Sequence, residues 1–506
     1  MVEALPPRGV PAAQVLNEVR GLRGADRPTH GGRLFAYVYD PGVPGLDDLA
    51  MSAYALSAHV NGLDPAAFPS LLAMENALVG AAAKLLGGGP GTTAPGVVGA
   101  VTGGGTESLI LAVKAARDAH PEIERPRLVI PATAHAAFAK AAHYLRVAFD
   151  VVPVSPQTLR PSPADITAAI GPETVLVACS APSYAHGVVD PVTEIAAAAA
   201  TAGVRCHVDA CFGGWMLPFL RRLGATVPAF DFSVPGVTSI SVDLHKYAYC
   251  PKGVSVLLHR DADLRRPQYF AYADWPGYTV INPAISSTRS GGPVAAAYAT
   301  LRHLGEEGYL ALAAATRTAV AGLATAVSSV PGLRLMPEPE STVVCFTSDD
   351  PRVDIFVLAD ELTLRGWHTQ PQFRYGELPA SLHLTVTAAV APRVAEFGPD
   401  LRAAAQAAGA AGPVPLPDEL LALAAGLTAE AVTPDLVAVL AGNLGFTAAN
   451  GAGSDAIGGA DGGSGGGPGP LPERMAPVNT LLNVASARVR ELLLTEFLSL
   501  LQRPSF

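Results

Sequence analysis

The sequence predicts a doubly wound α/β fold with a large, mostly parallel sheet, followed by a smaller α/β domain. Short apolar segments with strand character alternate with helix-like segments through the first half of the chain, the pattern of a parallel sheet with crossover helices. Segments such as "TVLVAC" are apolar on both faces, as expected when helices cover both sides of the sheet. The length of 506 residues also exceeds what one core supports.

The predicted elements of the larger domain follow one another in a regular order. A glycine-rich loop region at 87–100 precedes the helix "ESLILAVKAARDAH", which has Leu109, Ile110 and Val113 on one face. The strand "RLVIPA", the helix "HAAFAKAAHYL" and the strands "DVVPV" and "TVLVAC" come next. The helix "DPVTEIAAAAATAG" then leads to the strand "RCHVDA", and the apolar runs "VTSISV" and "VSVLL" complete this part.

The second half of the chain has a simpler pattern. A long Ala-rich helix after Gly308 leads into "LRLMPEPESTVVCFTS", "DIFVLADELTLRGW" and "ASLHLTVTA", which indicate strand, helix and strand. The final segment "VNTLLNVASARVRELLLTEFLSLL" predicts one amphipathic helix, which either packs on its own body or mediates assembly. We therefore expect an N-terminal segment at 1–86, a large domain at 87–310 and a small domain at 311–410. An extension follows at 411–506, with a glycine-rich linker at 451–470.

Composition and charge exclude several classes of partner. The net charge of −10 argues against nucleic acid and against an anionic membrane surface. The N-terminus lacks a secretory signal pattern, and the apolar stretches are short or interrupted by acidic residues, so we expect no transmembrane segment and a cytoplasmic location. The five cysteines match no zinc spacing, which predicts reduced thiols and no metal site.

Three motifs carry residues suited to catalysis. In "TGGGTESLIL", Gly104 and Gly105 let backbone N–H groups approach a ligand, and Thr106 helps to open a helix whose N-terminus favours an anion. Asp209 ends the strand "RCHVDA", where ligands bind in such sheets. Lys246, in "SVDLHKYAYCPKG", is a lysine between two apolar runs, and a desolvated lysine has a lowered pKa and can form a Schiff base with an aldehyde.

Taken alone, each motif also has an ordinary structural explanation: a glycine-rich loop, a strand-end capping aspartate and a surface lysine. Taken together and in this order, they match the needs of pyridoxal 5′-phosphate. The phosphate would bind the glycine loop, Asp209 would keep the pyridine nitrogen protonated, and Lys246 would bind the aldehyde and later move protons. The combination therefore predicts a pyridoxal-phosphate enzyme.

From about Tyr39 to Ala405, the chain resembles the sphingosine-1-phosphate lyase branch of the pyridoxal-phosphate group II decarboxylase family, which has fold type I. The motifs that carry this resemblance are "VTGGGTESLILAVKAARD", "ATAHAAFAKAAHYL", "SAPSYAHGVVDPVTEIA", "HVDACFGGWMLPF", "SVDLHKYAYCPKG" and "STRSGGPVAAAYATLRHLGEEGY". The small-domain segments "LRGWHTQ" and "LPASLHLTVT" also match, whereas the tail beyond about Pro413 lies outside the resemblance.

The resemblance implies roles for individual cofactor-binding residues. Lys246 would be the Schiff-base lysine, Asp209 would pair with the pyridine nitrogen, and Cys211 would lie near the ring. His135 would stack on the face of the ring and also belong to the catalytic set. The cofactor phosphate would contact a further set of residues, namely Gly104, Gly105, Thr106 and His245.

The resemblance also implies substrate contacts and exposes departures from the family. Lys252 resembles a substrate-phosphate or catalytic lysine, Arg289 lies in a loop that approaches the site, and Tyr39 matches an active-site tyrosine. The lyases carry a substrate-binding histidine in an "NPLHPD"-like stretch, where this chain has "NGLDPAAFPS" with Asp64 at that position. A carboxylate there would repel a substrate phosphate.

The resemblance implies a carbon–carbon lyase that cleaves an amine-bearing substrate by a retro-aldol reaction to an aldehyde and an amine. An amino-acid decarboxylase remains the alternative, because the cofactor serves both reactions as an electron sink. A third possibility is a protein that binds pyridoxal phosphate without catalysis and acts through its tail. The resemblance also implies a homodimer whose N-terminal segment, residues 1–86, contributes to the site and to the dimer.

Overall fold

The computed structural model describes residues 5–415, 417–443 and 472–502, except for some side chains between 418 and 443. The predicted glycine-rich linker at 451–470 lies outside the described residues.

The described residues contain thirteen β-strands, which are β1 (Val98–Thr102), β2 (Arg127–Pro131), β3 (Ala148–Val152), β4 (Thr174–Ser180), β5 (Arg205–Asp209), β6 (Val237–Val242), β7 (Ser255–His259), β8 (Phe270–Tyr272), β9 (Val280–Asn282), β10 (Leu333–Leu335), β11 (Val343–Ser348), β12 (Gln370–Gln372) and β13 (Ser381–Thr385).

The same part of the chain has sixteen α-helices, which are α1 (Ala12–Leu22), α2 (Leu46–Ser57), α3 (Pro69–Leu85), α4 (Gly105–Asp118), α5 (Ala137–Leu145), α6 (Pro163–Ala169), α7 (Val192–Thr201), α8 (Leu217–Arg222), α9 (Ala262–Arg265), α10 (Gly292–Ser328), α11 (Ile355–Leu364), α12 (Val394–Ala411), α13 (Asp418–Gly426), α14 (Pro434–Asn443), α15 (Ala476–Val484) and α16 (Ala487–Leu501).

The chain forms two compact units. The first comprises Thr29–Thr347 and Leu382–Leu401, and the second comprises Met1–Pro28, Ser348–Ser381 and Arg402–Phe506. The predicted domain boundary between residues 310 and 311 falls inside α10, whose only described non-helical backbone is at Gly305 (φ 57°). The fourfold division into domains stays a prediction.

A large sheet in the first unit confirms the predicted fold class. Its strands lie in the order β1-β7-β6-β5-β4-β2-β3. The neighbours from β6 to β3 are parallel, and β7 runs antiparallel to both β1 and β6. All seven residues of β4 are buried, because helices cover both faces of the sheet and exclude water from the strand. The sheet is therefore mostly parallel and doubly wound, as expected.

The connections after the parallel strands bring the predicted motifs to one edge. Asp209 is the last residue of β5, and α4 begins three residues after β1 ends. Lys246 follows β6 in the turn before β7. Because parallel strands end at the same edge of a sheet, these motifs converge there although they are far apart in the chain.

The strand–helix–strand pattern predicted for the later part of the chain corresponds to β11, α11 and β13. In the first unit, β11 and β13 pair antiparallel, with Val343 opposite Thr385 and Phe346 opposite Leu382. The second unit contains α11, which buries Ile355, among other residues, and begins at an N-cap aspartate that accepts two backbone N–H groups.

Helix α10 is the one described helix that is long and apolar enough to cross a membrane. In its most apolar stretch of 18 residues, 44% is buried inside the protein. The helix also packs against α2. A core helix passes the same test of length and composition. The predicted absence of a transmembrane segment stays a prediction.

The C-terminal extension differs from the single terminal helix that the sequence predicts. Two helices, α15 and α16, are separated at Ala485 and Ser486. Ala485 has extended backbone angles (φ −67°, ψ 147°), and the hydroxyl of Ser486 caps α16 by accepting the N–H of Val489. The prediction of one continuous helix was wrong because a serine N-cap starts a new helix inside a sequence that keeps its amphipathic pattern.

Candidate active site

A cavity of about 660 Å³ lies at the edge of the sheet where the parallel strands end. It lies within the first unit. Its lining includes nine of the predicted site residues: Gly104, Gly105, Thr106, His135, Asp209, Cys211, His245, Lys246 and Lys252. The structure therefore brings together the three motifs that the sequence predicts to act together.

The glycine loop and the start of α4 form one wall of the cavity. A methyl group added to Gly105 would stand 2.8 Å from Asp243 Oδ2 and 2.8 Å from Cys211 Sγ, so only glycine fits there without displacing them. Glu107 in the first turn accepts the N–H of Gly103 at 2.5 Å and that of Ile285 at 2.7 Å. The first turn of α4 lines the cavity with its N-terminal end, which suits an anion such as a phosphate.

Asp209 presents one carboxylate oxygen to the protein and the other to the cavity. Its Oδ1 accepts the backbone N–H of Cys211 at 3.1 Å and the hydroxyl of Ser241 at 3.5 Å. The structure describes no protein donor to Oδ2, although the residue is only 7% exposed and lines the cavity. A buried acceptor of this kind suits a ligand N–H group, such as a protonated pyridine nitrogen.

Lys246 forms an ion pair with an aspartate from its own motif. Its Nζ lies 3.0 Å from Asp243 Oδ2, and the hydroxyl of Ser255 donates to Asp243 Oδ1 at 2.6 Å. Burial favours the neutral amine and is the largest single influence, but Asp243 together with Tyr39, Cys211 and Asp209 outweighs it and raises the pKa of Lys246. The expectation of a lowered pKa for this lysine was therefore wrong, because it considered desolvation without the partner.

Lys252 is perturbed in the opposite direction. Burial, and then the positive charge of Lys246, lower the pKa of Lys252. Its Nζ lies 5.1 Å from the centre of the Tyr39 ring, which places a cation over an aromatic face. Burial raises the pKa of Tyr39, so that phenol stays protonated at neutral pH. Lys246 and Lys252, which both line the cavity, thus have pKa values driven in opposite directions, a common sign of acid–base roles.

Two histidines, His135 and His245, belong to the lining. His135 precedes α5, and its Nδ1 accepts the N–H of Ala137 at 3.1 Å, so the neutral ring carries its proton on Nε2. It therefore caps the helix and lines the cavity at the same time. His245 donates from Nδ1 to the carbonyl of Val254 at 2.9 Å, and burial lowers the pKa of His245 despite the nearby Asp243.

An aromatic cluster surrounds the lysines. The ring centres of Tyr39 and Tyr247 are 5.1 Å apart, those of Tyr247 and Phe212 are 5.2 Å apart, and those of Phe212 and Tyr184 are 5.6 Å apart. Lys246 Nζ lies 5.7 Å from the centre of the Phe212 ring. These rings shield Lys246 from water and thereby strengthen its interaction with Asp243, whereas Lys252 remains exposed.

Two predicted substrate-binding residues, and the predicted catalytic Tyr39, are absent from the described cavity lining. Asp64 is exposed, and its Oδ1 accepts the N–H groups of Ala66 at 2.8 Å and Ala67 at 3.2 Å. Arg289 has Nη1 3.0 Å from Glu75 Oε1. Asp64 thus caps a local turn, and Arg289 is paired with a helix residue of its own unit.

The sequence did not assign roles to Asp243, Glu107, Ser241 or Phe212, all of which contribute to the site. A signal for Asp243 was present, because a charged pair three residues apart in "DLHK" stands out in a chain with 15% charged residues. Ser241 and Phe212 resemble ordinary core residues in the sequence, and only the folded structure places them beside Asp209 and Lys246.

Comparisons with known proteins agree with this geometry. A family model described as "Pyridoxal-dependent decarboxylase conserved domain" matches residues 42–349. A second model, "Pyridoxal-dependent enzyme, C-terminal putative HTH domain", matches residues 418–500, a region outside the resemblance that the sequence motifs provide.

Curated relatives include the sphingosine-1-phosphate lyase of Dictyostelium discoideum, 37% identical over 79% of this chain and 73% of that protein. The sphingosine-1-phosphate lyase of Arabidopsis thaliana is also 37% identical, over 80% of this chain and 74% of that protein. The solved structure of a Burkholderia pseudomallei sphingosine-1-phosphate lyase covers 81% of this chain and 94% of that chain, with a TM-score of 0.76 and 38% identity.

A glutamate decarboxylase from Lactobacillus brevis has a TM-score of 0.71 at 20% identity, covering 80% of this chain and 95% of that chain. At this level of identity, the likeness shows the shared fold type I architecture and nothing about substrate.

Proposed function

This chain belongs to the pyridoxal-dependent decarboxylase family, and from that premise we propose that it cleaves a phosphorylated long-chain amino alcohol at a carbon–carbon bond. Its cofactor is pyridoxal 5′-phosphate and its reaction class is that of a lyase. The proposal concerns the substrate and the residues that act on it, and it follows the relatives that are named sphingosine-1-phosphate lyases.

The lining residues fit the cofactor. The glycine cradle and the first turn of α4, with Gly104, Gly105, Thr106 and His245, would hold the phosphate. Asp209 Oδ2 would accept the proton of the ring nitrogen, and His135 would cover the ring face beside Cys211. Lys246 would bind the aldehyde as a Schiff base. When bound, pyridoxal phosphate supplies an electron sink for the electrons of the bond that breaks at the amine-bearing carbon.

Lys246 has a second task in this arrangement. Because Asp243 lies 3.0 Å away and favours the ammonium form, Nζ carries a proton at the centre of the cavity. A charge-assisted hydrogen bond also fixes where that proton points. Lys246 is thus placed to donate a proton to the reacting carbon, while the surrounding aromatic rings exclude water.

The lowered pKa of Lys252 is the observation on which the lyase proposal rests. Retro-aldol cleavage requires a base for the β-hydroxyl proton of the substrate, whereas loss of carbon dioxide does not. The lowered pKa of Lys252 raises the fraction of neutral amine, which can accept that proton. The Tyr39 ring lies under Lys252 Nζ, and its phenol keeps its proton at neutral pH because burial raises the pKa of Tyr39.

The position of Asp64 removes an objection to a phosphorylated substrate. Its carboxylate is engaged with two backbone N–H groups of a local turn and is absent from the described cavity lining.

Mass spectrometry of products tests this proposal. The protein loaded with pyridoxal phosphate would be incubated with a pool of amino acids and sphingoid bases, each with and without phosphate. We expect a long-chain aldehyde together with phosphoethanolamine, and loss of that product in Lys252→Met. A free amine that has lost one carbon would instead make the protein a decarboxylase and would contradict the proposal.

We also propose that the protein is a homodimer. The hairpin of β8 and β9 exposes large apolar side chains, among them Phe270 (52%), Tyr272 (50%), Tyr278 (61%) and Ile281 (60%). The same segment leads to Ile285 in the cavity lining, so a second copy seated on the hairpin would complete the site. Light scattering should give a dimer mass, and Ile281→Asp should lower it towards that of a monomer, whereas an unchanged monomer mass in the parent protein would contradict the proposal.

The C-terminal extension supports the proposal that nucleic acid is not a partner. Residues 411–506 contain four arginines and no lysine, and the structure describes three of the arginines. Arg474 pairs with Glu361, Arg488 pairs with Glu491, and Arg490 lies over the ring of Phe373. A nucleic-acid surface needs cations that are free to meet phosphates. A cytoplasmic location also remains part of the proposal, and fractionation of cells would test it.

A further inference from the structure

A buried chain of polar side chains runs from Asp209 into the interior of the large sheet. His207 and Asp209 lie two residues apart on β5, and Ser239 and Ser241 lie two residues apart on β6. The parallel pairing places His207 beside Ser239 and Asp209 beside Ser241. Because side chains two residues apart share a face of a strand, all four lie on one face of the sheet.

The distances connect these side chains into one path. His207 Nδ1 lies 2.8 Å from Ser239 Oγ, and His207 Nε2 lies 3.2 Å from Ser241 Oγ. Ser241 Oγ lies 3.5 Å from Asp209 Oδ1, which is the longest link. His207 and Ser241 are fully buried, so water cannot replace any of these bonds.

The hydrogen-bonding capacity of each group assigns the direction of the path. An ionised Asp209 can only accept, so the single hydroxyl proton of Ser241 points to it. Ser241 must then accept from His207 Nε2, and from the thiol of Cys211 at 3.2 Å. Burial, and then the neighbouring His259, lower the pKa of His207 to about 3, so the ring is neutral and has one N–H. His207 Nδ1 therefore accepts the hydroxyl proton of Ser239.

We propose that His207 is a positioning residue that acts through Ser241 to hold Oδ1 of Asp209, so that Oδ2 faces the cavity as the acceptor for the cofactor ring. Every donor in the path points towards Asp209, which stabilises its negative charge away from water. This inference rests on the proposed function, because it assumes that Asp209 meets the ring nitrogen. The other titratable groups that interact with Asp209 are Cys179, Asp190, Cys211 and Lys246.

The test uses Ser241→Ala, which removes the last donor and changes little volume. We expect the dissociation constant for pyridoxal phosphate to rise about tenfold or more, the size of effect that a hydrogen bond to a charged group has. Without the donor, Asp209 becomes a stronger base and draws the ring proton towards itself. The midpoint of the pH titration of the visible cofactor absorbance should therefore rise by about half a unit or more.

Ser341→Ala is the matched control, because that buried hydroxyl donates to the carbonyl of Gly187 at 2.7 Å and takes no part in the path. It should leave the affinity and the titration unchanged. His207→Leu should reproduce Ser241→Ala, and the double variant should be no worse than either single variant. His207→Gln keeps an N–H donor near the position of Nε2 and should restore most of the affinity.

A titration and an affinity in Ser241→Ala and His207→Leu that match the Ser341→Ala control would overturn the inference. So would full additivity of the two changes, because it would show that they act independently. If the parent protein develops no visible absorbance with pyridoxal phosphate, the proposed function fails first, and the two failures are thereby distinguished.

Discussion

Asp209 and Asp360 are both buried aspartates in contact with backbone N–H groups, and they differ in how many of their oxygens the protein uses. Asp360, on α11, accepts the N–H of Met475 on Oδ1 at 2.9 Å and that of Ala476 on Oδ2 at 2.8 Å. Both oxygens are thus used at the start of α15. Asp209 gives one oxygen to Cys211 and Ser241 and leaves the other at the cavity wall.

The comparison separates a structural carboxylate from one that is available for chemistry. At Asp360 the helix dipole and two donors satisfy the charge, so the residue fixes α15 against α11 within the second unit. At Asp209 the protein donates hydrogen bonds to Oδ1 and leaves Oδ2 preorganised for a ligand. An unused oxygen at a cavity wall therefore distinguishes Asp209 from Asp360, although both are buried.

The largest effect is expected at Lys246, which we propose forms a covalent bond with the cofactor. Lys246→Ala removes the amine that would bind the cofactor aldehyde, so the visible absorbance of the loaded protein and its turnover should both be lost. Spectrophotometry and product analysis measure the two effects. Lys140→Ala, on the exposed side of α5 outside the described cavity lining, is the control, and retained turnover in Lys246→Ala would contradict the assignment.

A smaller but still large effect is expected for Asp209→Asn, which keeps the shape and removes the charge. Turnover should fall by about 10²- to 10³-fold, because preorganised charge of this kind contributes that much in other enzymes. The same substitution at Asp360 should leave turnover within about twofold. Equal losses of turnover at the two positions would break the distinction between the two carboxylates. Steady-state kinetics with saturating cofactor measures both variants.

The free energy of unfolding should respond in the reverse order, more to a change at Asp360 than to one at Asp209. Asp360→Ala removes both caps of α15 and should lower the free energy of unfolding by about 1–2 kcal/mol. It should also expose the extension to proteases, which limited proteolysis followed by mass spectrometry can detect. Ser486→Ala is a useful reference, because it removes a single cap from the next helix. An extension that stays as resistant in Asp360→Ala as in the parent protein would contradict the docking role.

Asp190 presents a third arrangement and the smallest expected effect. Its Oδ2 accepts the N–H of Ser180 at 2.7 Å, whereas the structure describes no donor to its buried Oδ1. Burial raises the pKa of Asp190 from 3.8 to about 7. The folded state therefore binds a proton more tightly than the unfolded state does, and this stabilises the protein fully below about pH 4.

That contribution is lost as the pH rises through 7. Asp190→Asn is neutral at every pH, so the melting temperature of the parent protein should fall relative to that of the variant between pH 5 and pH 8. Melting curves at several pH values measure the difference between the two proteins. A constant difference across this range would contradict the raised pKa.

Much of the fold was predictable from the sequence because the patterns that indicate it involve residues close together in the chain. Apolar segments on both faces and alternating helices are sufficient to indicate the parallel sheet, and the glycine loop, Asp209 and Lys246 stand in short motifs. The same reasoning placed nine predicted residues in one cavity. Each of these features depends on residues that are neighbours in the chain or on the shared edge of a parallel sheet.

The remainder depends on distances that the sequence does not contain. The raised pKa of Lys246 requires a 3.0 Å approach to Asp243, and the path from His207 to Asp209 requires the observed register between β5 and β6. Asp64 and Arg289 could not be placed, because turn capping and pairing with Glu75 depend on how loops fold back. The break between α15 and α16 was hidden by a continuous amphipathic pattern.

The most direct test of the account asks which lysine holds the cofactor, because the cavity contains both Lys246 and Lys252. The protein loaded with pyridoxal phosphate would be reduced with sodium borohydride, digested and analysed by tandem mass spectrometry. We expect the peptide with Lys246 to carry the added mass of a phosphopyridoxyl group and the peptide with Lys252 to be unmodified. Modification of Lys252 or of a lysine outside the cavity, with Lys246 unmodified, would contradict this expectation.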